Sequence, residues 1–150
     1  MSPTQTVPDA RAATPWRSNV AISIFDIPTM NNKISAVSFE TSEHYVWGTV
    51  CDGWHLLKQP DLSVIQERVP PGAGETPHFH TKARQFFYVL SGTATLQFET
   101  HSVTFGAGEG VHVEPGVRHR FANTSVEDVV FLVISSPPTA SDRTNLTTSL

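Results

Sequence analysis

The sequence predicts an all-β protein, an antiparallel sandwich or barrel in a single domain, and two observations carry that expectation. The first is a series of short strand-like runs with no sustained 3.6-residue repeat. The second is what separates them: PPGAGETP, LSGT, GAGEG and EPGV place Gly and Pro where a chain reverses between strands. Many short strands with frequent reversals belong to sandwiches and barrels. A length of 150 residues suits one domain with a real core.

In order, the runs are VAISIF (20–25), KISAVSF (33–39), YVWGTVC (45–51), WHLLK (54–58), LSVIQERV (62–69), RQFFYVL (84–90), TATLQFE (93–99), HSVTF (101–105), GVHVE (110–114), RHRFAN (118–123) and DVVFLVIS (128–135). Most are rich in β-branched and aromatic residues, and turn formers punctuate the series. FFYVL and VVFLVI are nearly continuous in apolar residues, which predicts cover on both faces and, with it, a homodimer. Residues 1–18 are rich in Pro, Thr, Ser and Ala and read as a loose arm. The stretch from 137 to 150 has the same character and reads as a C-terminal tail, leaving 19–136 for the barrel.

Composition excludes several classes of partner. Charged residues are 16% of the chain and the formal net charge is -4, so there is no basic surface for nucleic acid or an anionic membrane. No stretch approaches the ~18 apolar residues of a membrane span, and the first residues lack the apolar core of a signal peptide, which predicts a soluble, cytoplasmic protein. The single cysteine, Cys51, excludes an internal disulfide and a cysteine-built zinc site. It reads as a small buried hydrophobe.

The stretch HFHTKARQ (78–85) carries the chemistry. Side chains alternate across a strand, so His78 and His80 project together and Phe79 points the other way. Two imidazoles so placed can reach one ion at ~2.0–2.1 Å through ring nitrogens. A third, His119, stands in VRHRF at the start of a later strand that can lie beside the first.

Around these histidines the spacing is regular. Gly72 precedes His78 with five residues between, Gln85 follows His80 with four between, and Gly92 follows Gln85 with six. GEGVHVEPGVRHRFAN brings Gly108, Gly116, His119 and Asn123. Over 72–123 the chain resembles the cupin superfamily, whose motifs are G-x5-H-x-H-x3,4-E-x6-G and G-x5-P-x-G-x2-H-x3-N. Two identities depart from them. Glu114 stands at the Pro of the second motif, with Pro115 next to it, and Gln85 stands at the metal-binding Glu of the first.

The resemblance implies a small cupin-type jelly-roll barrel (a double-stranded β-helix), usually dimeric, with a metal in its lumen. Carried over by position, His78, His80 and His119 are ligands and Gln85 is the candidate fourth. A glutamine offers a carbonyl oxygen but no charge, and it is no general base. Such a set leaves a divalent ion its full +2, lowers its affinity and draws an anion to its open positions. Imidazole and amide oxygen suit a divalent transition metal: Fe(II) as first choice, with Zn, Mn, Ni or Cu as alternatives.

Other residues complete the expected cavity. Along 62–69, Gln66 and Arg68 lie on one face and Ile65, Glu67 and Val69 on the other. If the first face looks inward, Arg68 can hold a substrate carboxylate; if the second does, Glu67 can be the base. Phe87 and Val89 share the face of Gln85, and Phe121 that of His119, giving an apolar floor. Trp54 and His55, with Trp47 and Cys51, are candidates for the mouth. The leading expectation is a metal-dependent enzyme, dioxygenase-like, acting on a small organic substrate. The alternatives are an isomerase or lyase acting on a sugar acid or other small anion, and a non-catalytic ligand- or metal-binding cupin.

Overall fold

A computed structural model describes residues 34–150, and its compact unit from Ala36 to Leu150 is built almost wholly of β-strands. The strands are β1 (Glu43–Trp47), β2 (Cys51–Lys58), β3 (Ser63–Val69), β4 (His78–His80), β5 (Arg84–Ser91), β6 (Thr93–Phe98), β7 (Ser102–Gly106), β8 (Gly110–Val113), β9 (His119–Ala122), β10 (Val129–Ser136) and β11 (Arg143–Asn145). They form two antiparallel sheets, β1-β2-β3-β10-β5-β8 and β11-β4-β9-β6-β7. The expected all-β jelly roll is the observed fold. The arm (1–18) and the run VAISIF lie outside the described residues.

Alternation decides what each strand buries. In β10 Val129, Phe131, Val133 and Ser135 turn inward, and in β5 Gln85, Phe87 and Val89 do. Between the sheets Phe121 stacks on Phe131 with ring centroids 4.0 Å apart, and Leu96, Val69 and Val129 are fully buried around them. Burying each such side chain contributes roughly 1.5–3 kcal/mol. The outward residues of the apolar runs stay partly open, Phe86 at 39% and Leu90 at 44%.

Three expectations are corrected. The described part of KISAVSF is no strand: residues Phe39–Thr41 form a 3-10 turn, because Ser38, Thr41 and Ser42 bond to the local backbone instead of a neighbouring strand. YVWGTVC is two strands, since the chain reverses between Trp47 and Cys51. The tail (137–150) contributes β11, which pairs with β4 through Arg143↔His80 and Asn145↔His78. Its polar side chains hide it, because an edge strand held by backbone bonds needs no apolar face.

Candidate metal centre

The three histidines meet. His78 and His119 are direct cross-strand partners on β4 and β9, and their ring centroids are 4.4 Å apart. His80 stands two residues along the same face, 4.9 Å from His78 and 5.8 Å from His119. All three are buried, and each offers a ring nitrogen within 4.8 Å of the others.

The backbone selects which nitrogen that is. Nδ1 of His78 faces the Thr76 carbonyl at 2.9 Å, Nδ1 of His119 the Val117 carbonyl at 2.8 Å, and Nδ1 of His80 the Asp142 carbonyl at 3.1 Å. A carbonyl only accepts, so each Nδ1 carries the hydrogen and each Nε2 presents a lone pair. Burial lowers all three imidazoles below the usual range, His78 to about 4, so they are neutral near pH 7. Fixing the ring through its other nitrogen is how metal-binding histidines are oriented.

Two details test whether the residues fit a cation. Nε2 of His80 is buried with no hydrogen-bond partner among the described residues. Nε2 of His119 lies 3.1 Å from Oε1 of Gln85, whose amide nitrogen donates to Ser135 Oγ at 3.3 Å. With the only hydrogen of His119 committed to Val117, that contact brings two lone-pair atoms together. Two ligands at ~2.1 Å from one ion and at right angles to each other would be separated by ~3 Å. The donor set therefore fits a divalent metal held by His78, His80, His119 and Gln85.

Beside this cluster opens a cavity of about 370 Å³, lined by Tyr45, Trp47, Ile65, Glu67, Glu75, Thr76, His80, Gln85, Phe87, Val133, Ser135, Thr139 and Arg143. Strand register places the lining. Tyr45 pairs with Gly53, and Gly53 with Glu67, so these three form one row across β1, β2 and β3. Because Gly53 has no side chain, the Tyr45 ring lies across it and its hydroxyl donates to Glu67 Oε1 at 2.8 Å; a Cβ on Gly53 would strike that ring. Burial first, then the charge of Glu75, pushes the Glu67 carboxyl up to about 8.

The two faces of β3 are thus resolved. Glu67 looks inward, whereas Arg68 turns out and is tied by Nε to Asp52 at 2.9 Å and by Nη1 to Asp128 at 3.0 Å. Arg68 cannot clamp a ligand in the cavity. Trp54 is likewise outside, packed against Phe39 and His44. His55 points inward but sits beside the Tyr45 ring, off the cavity wall. Phe87 lines the wall; Val89 and Phe121, both 0% exposed, form the core beneath it.

Sequence reading missed Tyr45, Glu75, Asp142 and Arg143. Asp142 accepts the N–H groups of Thr81, Lys82 and Ala83, which hold its carboxyl below the usual range, while its own carbonyl orients His80. Glu75 accepts the Phe121 N–H at 3.1 Å and lies 4.0 Å from His78 Nδ1. No periodicity or motif marks these positions; their adjacency to the histidines arises from sheet pairing.

Comparison with known proteins agrees with the fold. The Cupin_2 model, described as a cupin domain, matches residues 65–135. The chain is 26% identical over 94 residues to the oxidoreductase macE of Penicillium terrestre, covering 60% of this chain and 36% of that one. It therefore spans about a third of the length of that curated relative. Its fold resembles the polyketide cyclase RemF of Streptomyces resistomycificus (TM-score 0.68, 19% identity, covering 78% of this chain and 88% of that one). It also resembles a predicted oxalate decarboxylase of Thermotoga maritima (TM-score 0.63, 19% identity, covering 69% and 100%). At those identities the likeness is one of fold alone. Among the described residues, no helix is long and apolar enough to cross a membrane.

Proposed function

We propose that the chain is a metal-dependent enzyme whose cavity carries out proton-transfer chemistry on a small organic molecule, of the isomerase, lyase or cyclase type. One observation carries this reading: the Glu67 carboxyl, pushed up to about 8, opens into the cavity that His80 and Gln85 line. A proton carrier works best when its pKa lies near the working pH, and Glu67 supplies what Gln85 cannot.

When bound, the divalent ion supplies Lewis-acid polarisation of a substrate oxygen. The side chains do the rest. Tyr45 donates to Glu67 Oε1 and fixes the carboxyl's orientation. Glu67 takes a proton from the substrate carbon and returns it, while Phe87, Ile65 and Val133 exclude water from that part of the wall. A second reading, oxidation of the substrate, is favoured by the relative named an oxidoreductase.

The test is exchange in deuterated water. The manganese-loaded protein is incubated with a panel of small carbonyl compounds, diketones included, and hydrogen exchange beside the carbonyl is followed by NMR. Exchange in the wild type should fall by about 100-fold or more in Glu67→Gln. Oxygen uptake by the iron-loaded protein without any exchange would replace this reading by the second.

A further inference from the structure

Arg143 enters the cavity from β11, where it is the direct cross-strand partner of His80. Cross-strand partners share a face, so the guanidinium stands on the side of the sheet from which the histidines project. Among the described residues it is the single Lys or Arg lining the cavity. Its Nε donates to Asn145 Oδ1 at 2.8 Å, Nη1 to Glu75 Oε1 at 3.3 Å and Nη2 to the Thr76 carbonyl at 3.3 Å. A guanidinium has five N–H groups, so one on each terminal nitrogen has no partner among the described residues. That pair matches the two oxygens of a carboxylate.

Of the two carboxyls that line the cavity, Glu67 is bonded by Tyr45 and Glu75 is paired with Arg143 itself. The ligand set of three neutral imidazoles and an amide brings no negative charge. Glu75 is held by a main-chain N–H as well as by Arg143. We propose that Arg143 is the substrate anchor and that the substrate is a small organic acid, its carboxylate on the guanidinium and its reacting carbon towards Glu67 and His80. This deepens the proposed function and rests on taking the cavity as the reaction chamber.

The test is a binding measurement. Zinc-loaded wild type, Arg143→Gln, Arg143→Lys and Glu75→Gln are titrated calorimetrically with benzoate and with its neutral twin benzamide, and zinc content is measured on the same samples. The wild type should prefer benzoate by about tenfold or more. Arg143→Gln should lose that preference with its zinc retained, and Arg143→Lys should keep part of it, having the charge without the fork. Glu75→Gln should bind benzoate more tightly, because a competing carboxylate is gone. If Arg143 only pins β11 to the barrel, Glu75→Gln and Arg143→Gln would weaken both ligands alike. That outcome, or an equal preference for benzoate in wild type and Arg143→Gln, overturns the anchor. A wild type that prefers benzoate yet holds no zinc would remove the metal centre and leave the anchor standing.

Discussion

A carboxyl group inside a cavity is a stability cost that can be read by pH. Glu67 moves from an ordinary value of 4.5 to about 8 on folding. Between these values the folded chain holds a proton that the unfolded chain has released, so stability falls as pH rises through the window. Below 4.5 both states are protonated and the cost vanishes; above about 8 it is complete. Glu67→Gln should therefore melt several degrees above the wild type at pH 8.5 and at the same temperature near pH 4, measured on metal-free protein. A difference that does not change with pH would contradict the buried carboxyl. At this scale the histidines were legible: alternation puts His78 and His80 on one face, and the resemblance to the cupin motifs adds His119. Glu67 and Arg68 were not separable, because alternation yields two faces and only packing tells which is inside.

Strand pairing explains the rest of the cavity. The row Tyr45, Gly53, Glu67 exists because β1, β2 and β3 pair in one register, and the glycine lets an aromatic ring cross the middle strand. Gly53→Ala should displace that ring, remove the bond to Glu67 and destabilise the fold by about 1–3 kcal/mol in urea unfolding. It should also raise the upper edge of the pH window, because Tyr45's hydrogen bond acts to lower the Glu67 pKa. Unchanged stability and an unchanged window would refute the cradle. Most strands from Ser63 to Ser136 were legible as apolar runs bounded by turn formers. Register was not, because turn lengths and β-bulges such as that between Val130 and Phe131 set it locally.

At the scale of the whole molecule, the segment after Ser136 is a wall of the site. It gives Arg143 to the cavity, the Asp142 carbonyl to His80, and the Asp142 carboxylate to the loop that follows His80. Its composition is that of a loose tail, and sequence reading assigns it so, because polar contacts to a neighbouring backbone leave no periodic trace. The barrel, by contrast, announces itself through glycines such as Gly92, which needs a positive φ of 81° and lies against the Asp128 backbone. The central claim is that three imidazoles and the Gln85 carbonyl hold one divalent ion. Elemental analysis of purified wild type, His78→Ala and Gln85→Ala tests it most directly. The account predicts about one ion per chain in the wild type, none in His78→Ala and a reduced fraction in Gln85→Ala; equal metal in all three would place the ion elsewhere and contradict it.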